Sequence, residues 1–295
     1  MIYKKLAAID IGSNAIRLLI CGVIGNPKNH NYKKVALIRL PIRMGKEAFV
    51  EGKISDETQE RFLDGMKAYS YLMKVHNVES FKACATSAMR EAKNGRAIAE
   101  RVREETGIDI EIIDGKREAE IIFNGHFKEN IDEDSNYVYV DVGGGSTEIS
   151  ILSNNEIYDS KSFNLGTLRL LNGLSKDADW KEMKSWIKEK TSHLNHVEMI
   201  GSGGNINKIY KLTDKKYPRP LLYHELKITR QSLSKMSYEE RMQNLKLNPD
   251  RADVIVPASD IYFNAMKWSD SSIMHVPKIG LADGMIIMQN EQVSS

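Results

Sequence analysis

The stretch VYVDVGGGSTEISIL, residues 138–152, holds the combination that decides the fold of this chain. An apolar run leads to Asp141, three consecutive glycines follow, and Ser-Thr-Glu148 opens a second apolar run. Glycine packs no side chain and loses much conformational entropy on folding, so three glycines between two strands need a reason. A turn without Cβ atoms can direct several backbone N–H groups at one point and hold an anion such as phosphate. We therefore interpret the stretch as strand, anion-binding turn and strand.

The same pattern occurs once more near the N-terminus. A shift of 131 residues, which moves residue 10 onto residue 141, lays Asp10-Ile-Gly12-Ser13-Asn14 on Asp141-Val-Gly-Gly-Gly145. Apolar runs of similar length flank both stretches. The repeat predicts two like halves with a cleft between them, each half beginning with a strand that carries an aspartate into a glycine-containing turn.

Hydrophobic periodicity predicts strands and helices along the whole chain. Residues 6–24 indicate strand, turn and strand, and residues 55–78 indicate a helix that begins at the N-cap Ser55. Residues 196–212 are typical of a strand, a glycine-rich turn and a helix, and residues 250–268 of a longer helix. Because the two kinds of element mix throughout, the predicted class is α/β.

A third glycine-rich loop, Gly201-Ser-Gly203-Gly-Asn205, lies between a predicted strand and a predicted helix. The helix N-terminus adds a dipole that favours an anion. Three such loops in one chain favour a phosphate site over three unrelated turns. The aspartates before the first two turns, Asp10 and Asp141, are candidate ligands of Mg²⁺, which binds a few carboxylates together with water and phosphate oxygens.

Composition and missing motifs exclude several classes of protein. The 295 residues are 41% hydrophobic and 28% charged, and a formal net charge of +2 gives no global electrostatic reason to bind nucleic acid or membrane. No run approaches the roughly 18 apolar residues of a membrane span, and the N-terminus does not read as a signal peptide. Cys21 and Cys84 lie in apolar runs and are expected to be buried reduced thiols, which favours the cytoplasm. The chain has neither a P-loop string nor a dinucleotide G-x-G-x-x-G fingerprint.

Four strings together resemble the exopolyphosphatase / guanosine pentaphosphatase family of the actin/Hsp70/sugar-kinase superfamily. They are IDIGSNAIRLLI, ATSAMREAKNG, IIDGKREAEIIFNG and VDVGGGSTE, and the weaker matches FNLGTLRL and GLADGM extend the resemblance over almost the whole chain. The length is similar to that of the short, two-domain members. The resemblance implies two similar actin-like (ribonuclease H-like) lobes with a cleft between them, at residues 1–124 and 125–295, with the last helix as a candidate to return to the first lobe.

The resemblance also implies a reaction. Family members hydrolyse a terminal phosphoanhydride of inorganic polyphosphate or of guanosine pentaphosphate with Mg²⁺, and a homodimer is expected from the family's habits. By position, Glu118 matches the family's catalytic glutamate, and Asp141 and Glu148 match its other active-site acids. The matches to phosphate contacts, together with the glycines of the loops described above, are Gly12, Ser13, Asn14, Arg90, Gly143, Gly144, Gly145, Ser146 and Gly203.

The residues are also consistent with this chemistry by themselves. Phosphoryl transfer needs charge neutralisation, in-line positioning and an oriented nucleophile. Glu118 or Glu148 could orient the attacking water. Arg17, Arg90 and Arg169 are candidates for bidentate phosphate contacts.

Two positions depart from the family pattern. Arg117 stands where many members have a second glutamate, and Ala15 stands where a hydroxyl residue is usual. Both changes leave the core acids intact but leave substrate preference and rate open. The alternatives are a guanosine pentaphosphate phosphohydrolase, a small-molecule kinase of the same superfamily, and a catalytically weak polyphosphate- or nucleotide-binding sensor. A sugar-binding signature is missing, and the string around Glu118 favours hydrolysis over a kinase.

Overall fold

The computed structural model describes residues 2–26, 29–124, 135–154 and 156–292. The chain divides into two compact units: Met1–Phe127 with Gly280–Ser295 (unit 1), and Lys128–Ile279 (unit 2). The predicted lobe boundary at residue 125 lies at the start of a segment outside the described residues.

Unit 1 contains a five-stranded mixed sheet. Its strands are β1 (Ile2–Ile11), β2 (Ile16–Asn26), β3 (Asn29–Leu40), β4 (Ser80–Ala85) and β5 (Ile110–Ile112). The strand order is β3-β2-β1-β4-β5. The first three strands form an antiparallel meander, and β4 and β5 add parallel to β1. The predicted strand, turn and strand over residues 6–24 are β1 and β2.

Among the described residues before the second sheet, unit 1 has the helices α1 (Met44–Val50), α2 (Asp56–Val75), α3 (Ser87–Glu91), α4 (Gly95–Thr106) and α5 (Gly115–Ile122). The start of α2 is confirmed, because the Ser55 side chain accepts a hydrogen bond from the Thr58 N–H at 3.3 Å. Phe62, Met66 and Tyr69, at helical spacing, are fully buried in the core of the unit.

Unit 2 repeats this sheet with one strand added. Its strands are β6 (Asn136–Val142), β7 (Thr147–Ser153), β8 (Glu156–Phe163), β9 (Val197–Ser202), β10 (Leu221–Leu222) and β11 (Ile273–His275). The order is β10-β11-β9-β6-β7-β8. A meander of β6, β7 and β8 is followed by β9 and β11, parallel to β6, and β10 is an antiparallel edge.

The helices of unit 2 pack on one large apolar core. They are α6 (Thr167–Leu171), α7 (Asp177–Thr191), α8 (Gly204–Leu212), α9 (Tyr223–Lys235), α10 (Tyr238–Leu245), α11 (Pro249–Ala252) and α12 (Ile255–Trp268). The predicted single helix over residues 250–268 is two helices. Pro257 explains the break, because proline has no N–H to donate and is tolerated in the first turn of a helix but not in its interior.

The last helix, α13 (Leu281–Gln292), belongs to unit 1. The Gln289 side-chain amide donates to the Ala7 carbonyl at 3.0 Å, which fixes the helix to β1. A Cβ at Gly284 would lie 2.4 Å from the Ile121 carbonyl oxygen, so glycine allows α13 to approach α5 closely. None of the helices in the described residues is long and apolar enough to cross a membrane.

The strand orders confirm the predicted fold class. Without the edge strand β10, unit 2 has the strand order of unit 1, meander included. The shift of 131 residues also preserves the register: Asp10 lies opposite Arg17 in unit 1, and Asp141 lies opposite Glu148 in unit 2. The chain is therefore an α/β protein with two like mixed sheets.

Candidate active site

The glycine turn of unit 2 presents a row of backbone N–H groups. It closes with a hydrogen bond from the Gly143 N–H to the Ser146 carbonyl at 2.9 Å. The carbonyl oxygens of residues 143, 144 and 145 accept bonds from the N–H groups of Thr167 and Leu168 and from Nε of Arg169, at 3.0, 2.8 and 2.6 Å. The N–H and C=O of a trans peptide point in opposite directions. The N–H groups of residues 144–146 therefore face away from α6, and this row of N–H groups is the candidate anion-binding nest.

Gly166 allows this packing behind the turn. A Cβ at Gly166 would lie 2.3 Å from the Gly144 oxygen and 2.4 Å from the Gly145 carbonyl carbon, closer than real Cβ contacts. The N-terminal end of α6 can reach the three turn carbonyls only because residue 166 has no side chain. Arg169 contributes from the same side, because its Nε donates to the Gly145 carbonyl, and the bidentate phosphate contact of Arg169 stays a prediction.

Asp141 and Glu148 stand directly opposite each other on β6 and β7. The neighbouring strands place Ser202 opposite Asp141 and Ser162 opposite Glu148. Four polar side chains thus form one row across β9, β6, β7 and β8, beside the glycine turn. Glu148 is 3% exposed, and its Oε1 accepts hydrogen bonds from Ser146 Oγ at 2.5 Å and Ser162 Oγ at 3.0 Å.

Asp141 is held by hydroxyl groups and borders a glycine. Its Oδ2 accepts from Ser202 Oγ at 3.3 Å and from Tyr139 Oη at 3.4 Å. A Cβ at Gly203 would lie 3.0 Å from Oδ1. Gly203 also has a φ of 106°, a conformation that side-chain-bearing residues rarely adopt. Gly203, the predicted phosphate-loop residue, therefore lets the backbone approach the Asp141 carboxylate without a side chain against Oδ1.

Tyr262 connects the two strands that end at this site. Its buried hydroxyl donates to the Ser202 carbonyl and accepts from the Val142 N–H at 3.3 Å. Burial, and then the negative charge of Asp141, raise the pKa of Tyr262 well above its ordinary value. The phenol is consequently a neutral hydrogen-bond donor next to the aspartate.

Unit 1 contains a similar turn, in which two carbonyls rather than three are held from behind. Gly12 N–H donates to the Ala15 carbonyl at 3.2 Å, which matches the bond from Gly143 to Ser146. The carbonyls of Ser13 and Asn14 accept from backbone N–H groups at 2.8 and 3.2 Å, at the start of α1. By the same peptide geometry, the N–H groups of residues 14 and 15 face away from α1. The Ser13 and Ser87 hydroxyls share a 2.9 Å hydrogen bond that ties the turn to α3.

The row that holds two acids in unit 2 holds an ion pair in unit 1. Arg17 donates to Asp10 Oδ2 at 2.6 Å, and the Asp10 side chain is 10% exposed. The guanidinium thus compensates a carboxylate that was predicted to bind metal. A cation at Asp10 would compete with Arg17. A cation at Asp141 would have no such competitor on β7, because the residue opposite Asp141 is a second acid, Glu148.

Arg90 and Glu118 lie on neighbouring helices of unit 1. Arg90, on α3, donates to the Ile113 carbonyl at 2.7 Å, just before the N-cap of α5. Glu118, in the first turn of α5, is 8% exposed although it is a charged residue. Arg117 pairs with Glu111 at 3.7 Å and Glu120 at 3.4 Å, and its side chain is 39% exposed. Arg117, which departs from the family pattern, is therefore paired with Glu111 and Glu120, next in sequence to the buried Glu118.

The carboxylates fit Mg²⁺ better than a metal that needs a full protein cage. Within the described ranges, no group of three or more His, Cys, Asp or Glu side chains could hold a metal ion. Mg²⁺ is commonly bound by one or two carboxylates with water and substrate phosphate oxygens. Asp141, opposite a second acid on β7 and beside Gly203, suits such a site. The metal assignments of Asp141 and Asp10 stay predictions.

The family is decided by comparison over almost the whole chain. The sequence model of the Ppx/GppA phosphatase family matches residues 23–292. This chain belongs to the Ppx/GppA phosphatase family. Membership confirms the family predicted from the sequence, and it makes the chain one of a family of phosphatases.

Curated relatives carry several activities and are longer than this chain. A bifunctional 3-dehydroquinate synthase/phosphatase of Fusobacterium nucleatum is 29% identical over 278 residues, which are 85% of this chain and 41% of the relative. Exopolyphosphatase 2 of Mycobacterium tuberculosis is 32% identical over 178 residues, 58% of this chain and 54% of the relative. A guanosine-5'-triphosphate,3'-diphosphate pyrophosphatase of Aliivibrio fischeri is 25% identical over 218 residues, 70% and 43% respectively. The chain spans about half of these relatives or less.

Solved structures match the full length. The Aquifex aeolicus member of the Ppx/GppA family superposes with a TM-score of 0.79 at 22% identity, with 100% of both chains covered. An exopolyphosphatase from Cytophaga hutchinsonii superposes with a TM-score of 0.86 at 24% identity, with 98% of both chains covered. At these identities the agreement concerns the fold.

Each unit brings its own predicted residues together. In unit 2 these are Asp141, Glu148, residues 143–146 and Gly203. In unit 1 the turn at residues 12–14 follows Asp10, and the contacts of α3 with this turn and with Ile113 bring Arg90 and the helix of Glu118 into the same region. The roles of all these residues stay predictions.

Several residues that support the site were not predicted from the sequence, among them Tyr139 and Ser202, which donate to Asp141. Gly166 lies in the string FNLGTLRL, whose glycine is the signal that could have indicated it. Ser162 and Tyr262 carry no comparable signal, because their partners lie 14 and 60 residues away along the chain.

Proposed function

We propose that this protein is an exopolyphosphatase that hydrolyses the terminal phosphate of inorganic polyphosphate with Mg²⁺. One observation carries the proposal: the three N–H groups of residues 144–146 share one side of a turn that is flanked by the opposed acids Asp141 and Glu148. The nest suits the anionic phosphate, and the acids suit a cation or a water that phosphoryl transfer requires. Membership in a phosphatase family supports the same reaction class.

Each residue has a role that its surroundings support. The nest of unit 2 binds phosphate oxygens, and Asp141 holds Mg²⁺, which when bound neutralises phosphate charge. Ser13 and Asn14, in the turn of unit 1, and Arg90 bind further phosphate oxygens. Glu118 orients and deprotonates the attacking water, and Glu148 is the second acid. Burial of both glutamates favours this use, because burying a carboxylate costs stability, and perturbed, buried acids are found most often at functional sites.

The substrate is tested first with the full chain. Released phosphate is measured with long-chain polyphosphate, triphosphate, guanosine pentaphosphate and ATP, each with and without Mg²⁺. We expect Mg²⁺-dependent release with polyphosphate as the best substrate. Faster release from guanosine pentaphosphate would favour the alarmone phosphohydrolase, which the Aliivibrio relative makes the second candidate.

The roles are tested with three variants. Asp141→Ala should nearly abolish Mg²⁺-dependent turnover while the protein stays folded. Glu118→Gln keeps the shape but loses basicity, so the rate should fall roughly 10²–10⁴-fold, the scale of general acid–base catalysis. Glu148→Gln is the matched control. A much larger loss in Glu148→Gln than in Glu118→Gln would reverse the two assignments.

The binding-sensor alternative depends on Arg117. Its ion pairs with Glu111 and Glu120 support the view that it does not replace the catalytic acid. A wild-type protein that binds polyphosphate but releases no phosphate from any of the four substrates would favour the sensor. The homodimer expected from the family stays a prediction, and light scattering of the purified protein tests it.

A further inference from the structure

One oxygen of the Glu148 carboxylate, Oε1, accepts hydrogen bonds from two hydroxyl groups. Ser146 Oγ donates to Oε1 from the turn, and Ser162 Oγ donates to the same atom from the neighbouring strand β8. Hydrogen bonds to a charged acceptor are about twice as strong as neutral ones and are directional. Two donors from different segments therefore restrict the rotation of the carboxylate more than either donor does alone.

We infer that Ser162 is a positioning residue that acts on substrate through Glu148. This inference rests on the proposed function, because it assigns Ser162 to the same phosphate-hydrolysing site. A carboxylate in a phosphoryl-transfer site has to be oriented within a narrow angle, and small misplacements cost large factors in rate. Ser162 supplies this orientation from outside the glycine turn.

The surroundings of Ser162 argue against a role in packing. Ser162 is exposed, whereas the glutamate that it contacts is buried. An exposed serine on a strand contributes little to the core, so its replacement should leave the fold intact. The contact with Glu148 is what distinguishes it from an ordinary surface hydroxyl.

The same strand contains a matched control. Ser160 lies two residues before Ser162, on the same face of β8, and is opposite Ser150. The hydroxyls of Ser160 and Ser150 share a 3.1 Å hydrogen bond. Ser160→Ala therefore removes the same atom from the same strand, but the partner it loses is another hydroxyl and not an acid of the site.

The experiment compares kcat and KM for polyphosphate hydrolysis in four proteins: wild type, Ser162→Ala, Ser162→Thr and Ser160→Ala. Ser162→Ala should lower kcat about three- to tenfold and change KM less than about twofold, since loss of orientation acts on the chemical step. Ser162→Thr keeps the hydroxyl in a residue that suits a strand, so it should restore most of kcat. Ser160→Ala should stay within about twofold of wild type.

A double-mutant cycle identifies the partner through which Ser162 acts. Ser162→Ala introduced into Glu148→Gln should change the remaining rate by less than about twofold, because the group to be positioned is already altered. An equal loss in both backgrounds, or equal rates for Ser162→Ala and Ser160→Ala, would overturn the inference while the proposed function stands. A wild-type protein without phosphate release would overturn the proposed function, and the inference with it.

Discussion

Loss of the Tyr262 hydroxyl should destabilise unit 2 more than loss of any comparable phenol in the unit. Tyr262→Phe leaves the buried Ser202 carbonyl without its donor and the Val142 N–H without an acceptor. A buried polar group without a partner costs about 1–3 kcal/mol, and the 3.3 Å bond from Val142 belongs at the lower end. The expected loss in free energy of unfolding is therefore about 2–4 kcal/mol. Because the phenol is neutral, removal of its hydroxyl changes no charge at the site.

Tyr210→Phe is the matched comparison. Tyr210 is also buried, but its hydroxyl donates to the carbonyl of an exposed residue, Arg219, at 2.5 Å. Arg219 is exposed, so water can replace the lost donor and the cost should be about 1 kcal/mol or less. All three tryptophans of the chain lie in unit 2, so tryptophan fluorescence during urea unfolding reports on this unit. Equal urea midpoints for the two variants would refute the reasoning about the two-partner hydroxyl.

Two further predictions follow from burial and close approach. Gly166→Ala should displace the glycine turn, because the new Cβ would overlap backbone atoms of the turn. We expect the free energy of unfolding to fall by about 1–3 kcal/mol and phosphate release to fall at least about tenfold. Gly280→Ala is the control, because a Cβ there lies within 4 Å of no atom beyond its chain neighbours, and it should change neither the free energy of unfolding nor the rate. Burial, followed by the charge of a nearby acid, raises the pKa of Cys21 to about 11 and that of Cys84 to about 12. Because thiolate is the reactive form, a thiol reagent at pH 8 should label neither cysteine in the native protein and both in urea, and rapid labelling of the native protein would contradict their burial.

The fold could be predicted largely because its signals are local. Asp141 with its three glycines, and the same pattern at Asp10, are visible as a repeat, and both become the turn of a strand pair with the same register. Ser55 indicates the start of α2 through a hydrogen bond to a residue three positions away. The prediction of one helix over residues 250–268 is wrong for an equally local reason. Pro257 is tolerated only in the first turn of a helix, so α11 ends at Ala252 and α12 begins at Ile255.

The site could be predicted only in part because its support is long-range. Glycines and acids at the turn have a recognisable pattern, but the groups that orient them come from elsewhere. Ser162 reaches Glu148 through a strand pairing, and Tyr262 reaches Ser202 from a helix in the last fifth of the chain. The sequence also gives equal status to Asp10 and Asp141. Only the structure shows that Arg17 neutralises one of them while Glu148 faces the other.

Because α13 belongs to unit 1, the two units can be completed only in a certain order after synthesis. Residues 128–279 are all synthesised before α13, so unit 2 needs nothing from the last helix in order to fold. The first residues of unit 1 are synthesised earlier, but its fold is complete only when Gln289 binds the Ala7 carbonyl and Gly284 packs against α5. Until then the face of β1 that α13 covers stays open to water, and to chaperones or neighbouring chains. The half that is synthesised first is thus the half that is completed last.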